Sequence, residues 1–163
     1  MNRKSTFIIL MVIGALVLAA CAPAASTNST NNTSTTTEFT GLKINLNTAT
    51  SEELLATIPG FGNRMVREFK EYRPYISIQQ FRQEIGKYVD DAQIADYEKY
   101  IYVPIAINDS DSETLQQIPG LDSTEADSVM SSRPYASTDA FISKLSEFVS
   151  ADELVTAKSY LGE

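Results

Sequence analysis

From Thr50 onward the chain repeats itself at a constant spacing of 60 residues. Pro59-Gly60 returns as Pro119-Gly120, Arg73-Pro74-Tyr75 as Arg133-Pro134-Tyr135, Phe81 as Phe141, Val89 as Val149 and Tyr100 as Tyr160. One spacing shared by so many landmarks defines two tandem copies, 42–104 and 105–163, joined at Val103-Pro104. Each copy is small.

The signals inside each copy are helical. Thr50-x-x-Glu53 and Ser110-x-x-Glu113 read as capping boxes that satisfy the free amides of a first short helix. Leu54, Leu55 and Ile58 give that helix its apolar side. After the Pro-Gly turn, Met65, Val66, Phe69 and Tyr72 recur at three-to-four spacing and predict a second helix that ends before Pro74. Ser77-x-x-Gln80 opens a third, with Ile78, Phe81, Ile85 and Tyr88 inward. A fourth runs from about Asp90 through Ile94, Tyr97 and Ile101, and in copy two Ser150-x-x-Glu153 caps its counterpart. No stretch reads as a strand, so the expected fold class is all-α.

Composition narrows the chemistry. The 163 residues include no histidine and one cysteine, which removes the usual zinc constellations, the Ser-His and Cys-His nucleophile arrangements and any intrachain disulfide. Carboxylates are abundant, but they fall on helix caps and solvated faces, with no spacing that holds a pair against a nucleophile or metal. The expectation is a non-enzyme with no cofactor and no metal. The formal net charge of −8 also makes the chain a poor general binder of polyanions.

The single cysteine has its own context. Arg3 and Lys4 form a basic start, Phe7 to Ala20 is an apolar run, and Leu18-Ala19-Ala20-Cys21 closes it with small residues. This looks like a bacterial lipoprotein signal over 1–21 in which Cys21 is lipidated. The run is short against the roughly twenty residues that cross a bilayer as a helix. A plain cleaved secretion signal or an uncleaved anchor is the alternative. An acylated Cys21 would fix the chain to the membrane on its extracytoplasmic side. Residues 22–41, nearly all Ser, Thr, Asn, Ala and Gly, have little to bury and are expected to form a disordered tether.

Asn45-Leu46-Asn47-Thr48-Ala49-Thr50, then Glu52-Glu53-Leu54, Ile58-Pro59-Gly60-Phe61-Gly62, Tyr72-Arg73 and Pro74-Tyr75 together resemble the helix-hairpin-helix domain of ComEA-type competence proteins. The resemblance covers nearly all of 44–103 and, in degenerate form, 107–161. It implies two tandem helix-hairpin-helix domains and sequence-nonspecific binding of double-stranded DNA at the cell surface during uptake. Glycines at such a hairpin allow positive φ and leave no side chain in the way. The amides that open the next helix can then take a phosphate oxygen without reading a base. In copy one the residues so placed are Gly60, Phe61, Gly62 and Asn63 through their backbones, and Arg64, Arg67 and Lys70 through their charges.

Two features pull the other way. Arg64 precedes Glu68 by four residues and Arg67 precedes Glu71 by four, so both arginines are candidates for ordinary helix-surface pairs. Copy two carries Asp122 where copy one has Gly62, and acids where copy one has arginines. Residues 42–104 hold eight Lys/Arg and nine Asp/Glu, whereas 105–163 hold three and eleven. A second glycine hairpin, usual late in such domains, is missing from both copies. DNA binding is therefore expected of copy one alone. The alternative is a scaffold that meets other extracytoplasmic proteins through copy two, as the resemblance also implies for helix-hairpin-helix modules in type II secretion components and an extrinsic photosystem subunit. Tyr102 and Tyr135 are candidate contacts in that reading, although the same rings suit a core or hinge.

Overall fold

A computed structural model of the protein describes residues 41–162. The lipoprotein signal, Cys21 and all of the tether except Gly41 lie outside the described residues. No helix among the described residues is long and apolar enough to cross a membrane.

The described chain is mostly helical. Copy one runs β1 (Ile44–Asn45), α1 (Ser51–Thr57), α2 (Asn63–Glu71), α3 (Ile78–Ile85), α4 (Asp91–Tyr97) and β2 (Ile101–Tyr102). Copy two follows with α5 (Ser112–Leu115), α6 (Ser123–Ser131), α7 (Thr138–Leu145) and α8 (Ala151–Ser159). The expectation of no strand needs correcting. β1 and β2 pair in parallel, Ile44 with Ile101 and Asn45 with Tyr102, and copy two repeats this as a single parallel bridge between Ile105 and Leu161. The pairing joins the first residues of each copy to its last, and two residues are too few to leave an alternating pattern in the sequence. It also ends the fourth helix at Tyr97 and moves Ile101 into β2.

Helix starts follow their caps. Thr50 and Glu53 form the expected capping box on α1, Ser150 and Glu153 form one on α8, and Ser77 caps α3 through the Gln80 amide. The Ser110 box does not form. Asp111 caps α5 by accepting from the Thr114 amide, while the Ser110 hydroxyl accepts from the Ala106 amide. The reason is a shift in the repeat. Asn47 clamps the backbone of Tyr75, accepting from its amide at 2.8 Å and donating to its carbonyl at 2.9 Å, and Asn108 does the same to Tyr135 at 2.7 and 3.1 Å. Asn108 stands 61 residues after Asn47, so the 60-residue spacing does not yet hold at this point. It is restored just after α5, where the Ile118 amide bonds to the carbonyl of Leu115 three residues back. The Ile58 amide of copy one instead bonds four residues back to Leu54. Copy two has lost one residue from its first helix.

Two hydrophobic clusters form, one per copy. In copy one Phe69 is fully buried and meets Phe61, Phe81 and Tyr97 edge-on, with ring centroids 4.7, 5.3 and 5.4 Å away. Contacts of this type add roughly 0.5–1.5 kcal/mol each beyond area burial. Copy two places Leu121, Val129 and Ala157 where copy one has Phe61, Phe69 and Tyr97, so three rings in mutual contact have become smaller together. Close packing requires such volume changes to be matched across a core. Leu55, expected on the apolar side of α1, instead faces solvent at 39% exposure.

The described residues belong to one compact unit, in which α3 of copy one packs on α5 of copy two. Tyr102 ends β2 of copy one, yet its ring belongs to the second cluster. It stacks on Tyr160 at 4.3 Å, and its hydroxyl donates to the Ser159 carbonyl at 2.8 Å. Tyr135 is buried as well, its hydroxyl donating to the Val129 carbonyl at 2.6 Å. Neither tyrosine is an exposed contact, because each ring fills a core while its hydroxyl finds a backbone acceptor.

Candidate functional site

The turn between α1 and α2 is built by its own backbone. Ile58 ends α1 and buries its side chain, and its carbonyl accepts the Phe61 amide at 3.2 Å. Gly60 takes φ +69, a conformation that side chains disfavour, and a Cβ added there would meet nothing within 4 Å. The turn is thus open on its outer side.

Gly62 is the N-cap of α2 and supplies no side-chain cap. A helix leaves its first amides without intrahelical partners. Here the amides of Asn63, Arg64 and Met65 have no acceptor among the described residues, and the first helical bond runs from Val66 to the Gly62 carbonyl. Arg64 and Arg67, one turn apart on α2, are exposed, and neither forms an ion pair with any described residue. The pairs Arg64–Glu68 and Arg67–Glu71 that their spacing allows do not form. Lys70 is exposed and its ammonium reaches the Ser51 hydroxyl at 3.3 Å, tying the end of α2 to the start of α1.

The structure thus gathers Gly60, Gly62, Asn63, Arg64 and Arg67 around one open turn, with Lys70 further along the same helix. Phe61 is the exception and its expected role is corrected. Its amide is spent inside the turn, and its ring lies 8% exposed against Phe69 and Tyr97. Phe61 shapes the turn from below and offers nothing outward.

Copy two folds the same turn and fills it. Gly120 repeats the positive φ at +80, but Asp122 caps α6 and forms a box with Glu125 in which both backbone amides are taken by carboxylates. Glu153, at the start of α8, leans over the glycine so closely that a Cβ on Gly120 would come within 2.5 Å of its carboxylate. The residue 60 positions earlier is Gln93, which is neutral. Hence one turn presents unpartnered donors beside two cations, and the other presents carboxylates that take the Asp122 and Glu125 amides.

A second polar region lies where the copies meet. Arg82 on α3 holds Glu98 through Nε at 2.6 Å and Nη2 at 2.9 Å, and reaches Glu113 of copy two through Nη1 at 2.6 Å. The hydrogen bond to Glu98 raises the Arg82 pKa above its ordinary value. Lys43 lines the same cleft, where burial lowers its ammonium pKa against the opposing pull of Glu98. Sequence reasoning missed this cluster, since Arg82 and Glu113 become neighbours only through the packing of α3 on α5.

Compared with protein-family models, with curated proteins and with solved structures, the chain matches none.

Proposed function

We propose that this chain is a sequence-nonspecific DNA-binding protein built from two tandem helix-hairpin-helix copies, in which copy one alone grips the phosphate backbone. The observation that carries this reading is the free start of α2: a glycine N-cap, three amides without a described acceptor, and Arg64 and Arg67 free of described ion pairs. Such a turn takes phosphate oxygens through backbone donors and the helix dipole, with the arginines adding charge. No base edge is read, so binding ignores sequence and weakens as salt rises. Gly60, Gly62, Asn63, Arg64, Arg67 and Lys70 form the phosphate site, and Phe61 supports it from the core. The protein acts by binding, without catalysis or cofactor. Acylated Cys21 and the 22–41 tether hold it outside a bacterial membrane, where it meets incoming duplex DNA as the ComEA-type proteins it resembles do.

The test is fluorescence anisotropy of a 37–163 fragment with short duplexes of several sequences across a salt series, beside a Gly62→Asp/Arg64→Ala/Arg67→Ala variant. The expected outcome is affinity independent of sequence, a log-log salt slope of about −2 to −4, and loss of binding in the variant. Absence of binding at low salt by a folded fragment overturns the reading.

The second reading, an adaptor for extracytoplasmic proteins in a type II secretion-like complex, now rests on the acidic, self-capped turn of copy two alone. Burial of Tyr102 and Tyr135 removes the aromatic contacts that had favoured it.

A further inference from the structure

We propose that the two copies fold and open as one cooperative body, with copy two serving as a built-in partner that caps and holds α3 of copy one. This inference is independent of what copy one binds. Ile78 is the first residue of α3, so its amide is one of the donors a helix cannot satisfy itself. It donates instead to the Thr114 hydroxyl at 3.0 Å, across the junction, and Thr114 is fully buried. Three residues on, Gln117 grips the connection between the copies with its side-chain amide, accepting from the Val103 amide at 2.8 Å and donating to the Val103 carbonyl at 3.1 Å. Arg82 adds its fork between Glu98 and Glu113, and Tyr102 seats a ring from copy one in the core of copy two.

Several residues that make this junction are ones in which the copies differ. Copy one has Glu53 where copy two has Thr114, so copy two gave up the capping-box acid of its first helix at the position that receives Ile78. Copy two has Thr138 and Ile142 where copy one has Ile78 and Arg82. Ile78 is buried in the core of copy one with its amide on Thr114, whereas Thr138 is exposed. The sequence has therefore been specialised at one end of each copy to meet the other. Separating the copies breaks the bonds of the Ile78 amide and of Val103 and exposes the Tyr102 ring at the same time.

The experiment is residue-resolved amide hydrogen exchange on the 37–163 fragment, unsubstituted and as two variants. Ile85→Val trims the core of copy one alone. In a single cooperative body it raises exchange of the protected Val129 and Leu145 amides in copy two by about three- to tenfold, the same factor seen at Phe69 and Phe81. Thr114→Val replaces the hydroxyl with a methyl group and is expected to accelerate exchange of the Ile78 amide about tenfold or more. An Ile85→Val effect confined to copy one overturns the proposal, as does Ile78 exchange that ignores Thr114→Val. If Thr114→Val fails to fold, the Ile85→Val comparison decides alone.

Discussion

Asn47 and Asn108 show how much structure a single side chain can fix. Each carboxamide both donates to and accepts from the backbone of a tyrosine 27 or 28 residues away, and so pins the segment before the first helix to the segment before the third. Replacing Asn47 with Ala leaves the Tyr75 amide and carbonyl without partners in a half-buried place. The expected cost is about 1–3 kcal/mol, read from the urea midpoint of the 37–163 fragment. Asn108→Ala should cost a similar amount, because the same two bonds are lost. A neutral Asn47→Ala would mean that water replaces both bonds. Asn47 was legible as part of the motif, but its partner was not, since a clamp between distant segments leaves no trace in local spacing.

At the scale of the element, short helices depend on their ends, and the capping boxes tie those ends to pH. Hydrogen bonds from the Thr50 amide and hydroxyl hold the Glu53 carboxyl below its usual pKa, and Ser150 does the same for Glu153. A carboxyl depressed in the folded state contributes stability that is present above its unfolded pKa and lost as pH falls through the folded one. Thermal midpoints should therefore decline as the pH drops through and below the ordinary carboxylate range near 4. The double variant Glu53→Gln/Glu153→Gln should flatten that decline. Circular-dichroism melts at pH 7, 5, 4 and 3 check it, and an unchanged slope in the variant would place the acid sensitivity elsewhere. Thr50 and Ser150 cap the helices that their spacing predicts. Ser110 does not cap α5, because copy two is one residue shorter between its Asn108 clamp and its Pro-Gly turn and Asp111 takes the cap position.

For the whole molecule, the junction decides how the repeats relate. Tyr102 belongs to copy one by sequence and to the core of copy two by position, stacked on Tyr160. Burial pushes the Tyr160 hydroxyl pKa up to about 12. A phenol raised in the folded state favours folding below its unfolded pKa of about 10 and loses that contribution as pH rises through the folded value. Tyr102→Ala removes the stacking partner, leaves a cavity at the joint and is expected to cost roughly 3–5 kcal/mol in urea denaturation. A loss below about 1 kcal/mol would mean that the junction collapses around the missing ring.

The sequence by itself determined the local level: a helical chain in two copies, the Pro-Gly turns, most of the caps, and the contrast between a cationic turn in copy one and an acidic one in copy two. Those are properties of neighbours in the chain, and helix periodicity, caps and turn residues record them directly. Only the tertiary structure decided the rest. It closed each copy with a parallel pair too short to announce itself, turned Phe61 from a phosphate donor into a core ring, left Arg64 and Arg67 without the pairs their spacing allows, and joined α3 to α5 through Thr114, Gln117 and Arg82. Each of these depends on which groups meet across distant parts of the chain. A side chain with several feasible partners is committed only when packing brings one of them within reach.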